Sequence, residues 1–277
     1  MPDLPAWEAR FRAPILTFPA WSPAEPDRLA IASTESGSYQ LYAWDRVTGH
    51  RRQVTHDAVG VLSGRPTRDG AGIAWFHDAT GSESGAWVVA PFEAAVAPEP
   101  LLPGVPEGWD EGLAIGRRRT AAAVSTAERF SIWVSEDGSE ARCIHAHPEL
   151  LSLGADDDAA LSADETLIVF EHAEDGDAHH MALRVVDAGT GATVGDLKWD
   201  GIAIASHGFA PVPGDARVAI SHERSDERRP AIWNPRTGEV AEFTEADDYR
   251  ARGSLIGRRD VQGFADVGRI VPDAVVS

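Results

Sequence analysis
Cysteine and lysine are almost missing from this sequence: Cys143 is the one cysteine in 277 residues, and Lys198 is the one lysine among 25 basic residues. A single thiol excludes an intramolecular disulfide framework, so burial and hydrogen bonding must hold the chain together. Cys143 itself reads as a small buried hydrophobe in an outer strand, and the scarcity of lysine reads as genome composition rather than mechanism. No run of 18 apolar residues occurs, which excludes a helical membrane span. The opening residues, Met-Pro-Asp-Leu-Pro-Ala-Trp-Glu, lack the basic and apolar regions of a secretory leader. The expectation is a cytoplasmic protein. Strings of the C-x-x-C, H-E-x-x-H and D-x-D-x-D-G types are missing as well, so no cofactor, no metal and no catalytic residue is assigned.

Positive charge is also in short supply. Twenty-five Lys and Arg face 44 Asp and Glu, a formal net charge of -19. Nucleic acid or an anionic membrane would be repelled by such a surface, and neither is expected as a partner. The plain account of the charge is a solvated acidic surface. The runs Asp156-Asp157-Asp158 and Glu171-His172-Ala173-Glu174-Asp175-Gly176-Asp177-Ala178-His179-His180 read as exposed acidic stretches, and Arg117-Arg118-Arg119 reads as a turn facing nearby acids.

What is present is repetition. Between Ile15 and Thr55 four short apolar runs alternate with turn residues, each too short for a helix, which predicts four antiparallel strands. The pattern returns. Trp44, Trp87, Trp133, Val186 and Trp233 mark the ends of successive third strands, 43 to 53 residues apart. Leu29, Ile73, Ala121, Leu167 and Val218 mark the starts of successive second strands, 44 to 51 residues apart. Both ladders span 189 residues, although they rest on different residue types. A turn recurs with them, Asp45-Arg46-Val47-Thr48-Gly49, Asp187-Ala188-Gly189-Thr190-Gly191 and Asn234-Pro235-Arg236-Thr237-Gly238, placing glycine where the chain needs a positive φ.

Four strands in roughly 40 to 50 residues is the signature of a β-propeller blade. The fold class is therefore all-β, a β-propeller with five clear four-stranded blades and a degenerate or incomplete sixth. Residues 1–12 form a lead-in, and residues 13–277 form one propeller domain. Clear blades fall at about 13–56, 60–102, 111–145, 150–199 and 202–243, and 246–277 is a weak terminal segment with one candidate strand at Tyr249–Ile256. The tryptophan ladder is assigned to the core between blades. Thr120–Ser125 has helical propensity, but its register with the other repeats makes it a strand.

Each predicted second strand closes on a polar residue, Ser33, His77, Ser125, His172 and His222. At one height near the axis of a propeller, His77, His172 and His222 would suit a metal or acid–base chemistry at the channel mouth. A histidine capping a turn at a strand end is the simpler account.

The first turns, Trp21-Ser22-Pro23, Arg65-Pro66-Thr67-Arg68-Asp69-Gly70 and Leu161-Ser162-Ala163-Asp164-Glu165, resemble the W-S-P-D-G turn of TolB-like propellers and of the N-terminal propeller of prolyl oligopeptidase (S9) family serine peptidases. Leu41-Tyr42-Ala43-Trp44-Asp45, Phe209-Ala210-Pro211-Val212-Pro213-Gly214-Asp215 and Ile232-Trp233-Asn234-Pro235-Arg236-Thr237-Gly238-Glu239 resemble the acylaminoacyl peptidase branch found in actinobacteria. The resemblance covers about residues 10–245. It implies a propeller that controls access to a peptidase site and offers a surface to peptide. The hydrolase domain of that family needs a G-x-S-x-G elbow, and the nearest string here, Gly81-Ser82-Glu83-Ser84-Gly85, has glutamate in the middle. Three readings result: a non-catalytic peptide-access or binding module, part of a longer peptidase or alone; a propeller enzyme acting on a small molecule at the axial channel; and a scaffold for protein partners.

Overall fold
A computed structural model describes residues 13–154, 157–224 and 228–243. The lead-in 1–12, Asp156 of the acidic run, and the weak segment 246–277 with its candidate strand lie outside the described residues. The chain divides into two compact units, Met1–Asp110 and Glu111–Ser277, with β9 beginning at the end of the first.

In the first unit, β1 (Leu16–Trp21), β2 (Arg28–Ser33), β3 (Gln40–Asp45) and β4 (Arg51–Gln53) form an antiparallel sheet in sequence order. A second set of β5 (Arg65–Pro66), β6 (Gly72–His77), β7 (Ser84–Pro91) and β8 (Glu99–Pro100) follows in the same order. At the start of β7, Ser84 and Gly85 also pair with Trp109 and Gly108, so the third repeat begins at Gly108, a little before its expected start. The faces that meet carry small and branched residues around one aromatic: Ala30, Ala32, Leu41 and Ala43 from one sheet pack with Ile73, Trp75 and Ala90 from the other.

In the second unit the sets are β9 (Gly108–Ile115), β10 (Arg119–Ser125), β11 (Phe130–Glu136) and β12 (Arg142–His147); β13 (Leu151–Ser152), β14 (Leu167–His172), β15 (Ala182–Asp187) and β16 (Thr193–Leu197); and β17 (Ile204–Phe209), β18 (Val218–His222), β19 (Arg229–Trp233) and β20 (Val240–Glu242). Each set pairs antiparallel in sequence order. Ala121, Ala123, Ile132, Ile168, Phe170, Leu183, Val185, Ile220 and Trp233 share one core. Burying each larger aliphatic or aromatic side chain contributes about 1.5–3 kcal/mol. β10 is a strand despite its alanine-rich helical propensity, because Ala121, Ala122 and Ala123 are fully buried and let neighbouring sheets approach. Among the described residues no helix is long and apolar enough to cross a membrane.

The tryptophan ladder needs correction. Trp233 and Val186 are buried in the core, whereas Trp44, Trp87 and Trp133 are only half-buried. Register explains part of the difference: Trp233 pairs with Val218 and Trp44 with Leu29, but Trp133 pairs with Ala122 and Trp87 with Phe76. Trp44 holds the register and sits on the face of its sheet opposite Ala43, away from the shared core. Cys143 departs from expectation too. It is half-buried on β12, and its thiol donates weakly to the His145 carbonyl at 3.4 Å.

The turns carry the repeat more faithfully. Between third and fourth strands, Asp45 Oδ1 accepts from Thr48 N–H at 2.8 Å, and Asp187 Oδ1 from Thr190 N–H at 2.7 Å. Asn234 Oδ1 accepts from Arg236 N–H at 3.1 Å in the third copy. Each turn closes through a glycine at positive φ, Gly49, Gly191 and Gly238. Between first and second strands, Ser162 and Thr67 each accept the N–H five residues on, from Leu167 at 3.0 Å and Gly72 at 2.9 Å, and donate to Asp164 and Asp69. Gly70 occupies the left-handed position of one such turn, while Glu165, φ 59°, occupies it in the other. That non-glycine conformation costs about 1–2 kcal/mol. The Glu165 carboxylate offsets the cost by accepting from the backbone N–H groups of Arg117, Arg118 and Arg119, so this arginine turn does face acids.

Two consequences are measurable. Gly191 and Gly238 share a turn position and a φ near +75°, but a Cβ on Gly191 would stand 2.4 Å from the Ile144 carbonyl oxygen, whereas one on Gly238 meets nothing within 4 Å. Gly238→Ala is expected to cost roughly 1 kcal/mol, from the left-handed backbone alone, and Gly191→Ala about 3 kcal/mol with the added clash. Equal losses in urea unfolding would contradict the assignment. Burial alone would raise the Asp164 carboxyl, but Thr166, Ser162 and the Gly214 N–H hold it down at about 2 from an ordinary 3.8. The carboxylate is exposed, so its contribution is screened to about 1 kcal/mol. A lowered folded value means stability present above pH 3.8 and lost as pH falls through about 2. The difference in unfolding free energy between wild type and Asp164→Ala should therefore be full at pH 6 and shrink near pH 2.

Candidate functional site
The five polar residues expected to close the second strands do so: Ser33, His77, Ser125, His172 and His222 end β2, β6, β10, β14 and β18. In the first unit, Ser33 is buried and its hydroxyl accepts from Glu35 N–H at 3.2 Å. His77 is 41% exposed, with Nδ1 3.1 Å from Asp57 Oδ2. In the second unit, Ser125 donates to Glu111 at 2.7 Å, and both histidines are almost wholly buried.

His222 Nδ1 accepts from Arg224 N–H at 3.3 Å, a cap on the turn that leaves the strand. Its proton therefore sits on Nε2, which faces Glu242 of β20 at 3.4 Å. Burial pushes this imidazole below its ordinary value, against the pull of Glu242, and Arg224 and Arg229 push it the same way as burial. His172 is built in parallel. Its Nε2 faces Asp196 of β16 at 3.4 Å, too long for a hydrogen bond, and neither ring nitrogen has a hydrogen-bond partner. Both rings thus address a carboxylate on the outer strand of their own sheet. Trp199 links their surroundings: it meets His222 edge-on at 5.1 Å between centroids and lines a cavity with His172. His77 belongs to the other unit and stands with Asp57.

The cavity, about 220 Å³, opens where the 173–181 loop meets the 198–203 connection. His172, Asp175, Asp177, His180, Lys198 and Trp199 are among its walls. Asp177 shapes the loop by accepting from the N–H groups of His179 and His180 at 3.1 and 3.2 Å and from His180 Nδ1 at 2.8 Å. The His180 contact leads in holding the Asp177 carboxyl below its usual range. Lys198 Nζ lies 2.8 Å from Asp175, which raises the ammonium above its ordinary value.

Beneath the loop lies a charged chain that the sequence reading missed by treating the whole loop as exposed. His145 of β12 meets Glu174, Glu174 meets Arg184 of β15 at 2.6 Å, and Arg184 meets Asp196 at 2.6 Å, beside His172. Glu174 and Arg184 are only 16% and 15% exposed. Burial would raise both carboxyls, but Arg184 and His145 hold Glu174 down, and His172 and Arg184 hold Asp196 down. Burial would lower Arg184, and its two carboxylates raise it instead. One signal in the sequence could have found this chain: Arg184 interrupts an apolar strand between Leu183 and Val185, which are both fully buried. Among the described residues no group of three His, Cys, Asp or Glu is placed to hold a metal ion.

Arg184→Met strips the partner from the half-buried Glu174 carboxylate and the exposed Asp196 carboxylate and is expected to destabilise by about 1 kcal/mol. Because both carboxyls are lowered in the folded protein, the contribution is present above the ordinary carboxylate range and is lost as pH falls through the lowered folded values. Chemical unfolding of Arg184→Met should show a deficit at pH 7 that narrows in acid. A deficit unchanged by pH would remove the electrostatic account.

No protein-family model matches this sequence, and no curated protein is similar to it. Solved structures are similar. A prolyl endopeptidase matches with a TM-score of 0.62 at 12% identity, over 87% of this chain and 39% of its own. An oligogalacturonate lyase in complex with manganese matches at 0.57 and 13% identity, over 81% and 64%. The β-propeller domain of the Trilobed protease from Pyrococcus furiosus matches at 0.55 and 13%, over 83% and 69%. This chain thus spans less than two thirds of the length of the first two. At such identity the likeness is one of fold, and the fold it shows is the β-propeller that the Trilobed protease carries as a domain.

Proposed function
We propose that this chain is a non-catalytic β-propeller, related to the N-terminal domain of S9 family peptidases, that acts as a peptide-access or binding module. The observation that carries the reading is the extent of the likeness: most of this chain corresponds to little more than a third of a prolyl endopeptidase. The sequence contributes a second support, since it has no G-x-S-x-G. Its nearest string, Gly81–Gly85, enters β7 from a hairpin turn in which the Asp78 carboxylate accepts from the N–H groups of Thr80, Gly81, Ser82 and Glu83. Donors committed in this way are not free to stabilise an oxyanion, and the turn leads into a strand rather than a helix. The net charge of -19 favours neutral or basic peptide over polyanions.

The test is incubation with an acylated or prolyl chromogenic peptide, alongside polarisation of a fluorescent peptide. Binding without turnover is the expected result. Hydrolysis that is lost on treatment with a serine-directed inhibitor would refute the non-catalytic reading.

A further inference from the structure
We propose that Ser221 is an activated nucleophile, with His207 as its base, that accepts an acyl group from a small activated ester in the cavity it lines. This covalent step goes beyond the binding-module reading and does not depend on it. The two side chains meet across neighbouring strands of one sheet. Ser221 Oγ of β18 lies 2.9 Å from His207 Nε2 of β17, within the reach that a serine and its base require. Ser221 is 6% exposed, and its hydroxyl has no other hydrogen-bond partner among the described residues. Register explains how the imidazole comes to be there. The ladder pairs Ile204, Ala205 and Ser206 with His222, Ser221 and Ile220, then shifts before Gly208, so His207 is the extra residue of a β-bulge. A bulge re-aims a side chain at the expense of a ladder partner. Gly208 permits it: its φ is 107°, and a Cβ there would stand 2.4 Å from the Cβ of Ala159. A buried hydroxyl can be satisfied by a backbone carbonyl, as Ser131 is by Val124. An imidazole offers what a carbonyl does not, a nitrogen that can take the proton away.

Space for the acyl donor lies beside the hydroxyl. Ser221 shares the walls of a second cavity, about 190 Å³, with Glu171, Met181, Ala203, Ile204 and Ala205. That volume is smaller than a drug-sized site, and Met181, Ala203, Ile204 and Ala205 give a short acyl chain apolar surface to rest on. In the step itself Ser221 Oγ attacks the acyl carbon while His207 Nε2 takes the hydroxyl proton. The bond from the acyl carbon to the leaving oxygen breaks, and the proton passes to the departing alcohol. An ester on Ser221 and a free alcohol are the products.

The experiment treats the full chain with p-nitrophenyl acetate, follows nitrophenolate release and maps the acetyl group by mass spectrometry of proteolytic fragments. A burst of about one equivalent per chain is expected, with the acetyl group on Ser221. Ser221→Ala should lose the burst, and His207→Gln should acetylate at least tenfold more slowly. Ser221→Cys keeps the side-chain size and a nucleophile, and it should take the acetyl group at the same position. Circular dichroism checks the fold of all three variants. An unchanged burst in Ser221→Ala, acetyl groups found only on other side chains, a His207→Gln rate equal to wild type, or a folded Ser221→Cys left unmodified at that position would each overturn the assignment. Absence of a burst in a chain that still binds peptide would sink the nucleophile and leave the binding module standing. Release that continues past one equivalent and vanishes in Ser221→Ala would keep the nucleophile and refute the non-catalytic reading.

Discussion

A strand buried on both faces dictates the rest of this molecule. All five residues of β18 are buried, as are Leu167 to Phe170 of β14 and Ala121 to Ser125 of β10. A sheet with one wet face shows alternating burial, and these strands do not alternate. They are stable only where another layer covers each face. The core of the second unit meets that demand with residues from three successive sheets, and small alanines in β10 allow the approach. Close approach has its own local cost. Gly195, whose added Cβ would stand 2.3 Å from the Pro235 carbonyl oxygen, is a position where one sheet and the next turn leave no space for a side chain.

The outer strands meet the opposite demand. β4 is only three residues long, and β12 and β16 carry exposed polar positions, which is how an edge resists pairing with foreign chains. Their charges are not idle. Asp196 on β16 and Glu242 on β20 turn back to the histidines that end the second strands. His222 caps the end of its strand with the geometry that serine uses elsewhere. Ser33 accepts the N–H of Glu35 and His222 that of Arg224, each two residues on. A short acceptor at the point where the chain leaves the sheet satisfies a donor that the ladder no longer serves. Serine does this with its hydroxyl alone; His222 does it with Nδ1 and turns Nε2 toward the outer carboxylate of Glu242.

This difference explains what could be read from the sequence and what could not. Turn chemistry is local, so Asp45, Asp187 and Asn234 with their following glycines marked the turns correctly, and the strand-end residues fell where the spacing placed them. Burial of the tryptophans is not local. Trp233 and Trp44 share a register position, yet only Trp233 faces a packed neighbour. The charged chain was hidden for the same reason. Glu174 reads as one more acid in a hydrophilic loop, and only the fold brings Arg184 and His145 to it. Arg184 was legible as an anomaly, a charge between two fully buried aliphatic positions, but its partners lie 10 and 12 residues away.

Local rules broken inside an otherwise consistent fold are where function is to be sought, and here the breaks cluster. Arg184 violates the apolar pattern of β15, Glu174 withdraws from solvent, and both ring nitrogens of His172 lack a hydrogen-bond partner, all in the sheet whose loop frames the cavity. The chain of charges pins the loop from below through Glu174. That anchoring leaves Asp175 and Asp177 on the cavity side, Asp175 paired with Lys198 and Asp177 with His180 and with the N–H groups of its own loop.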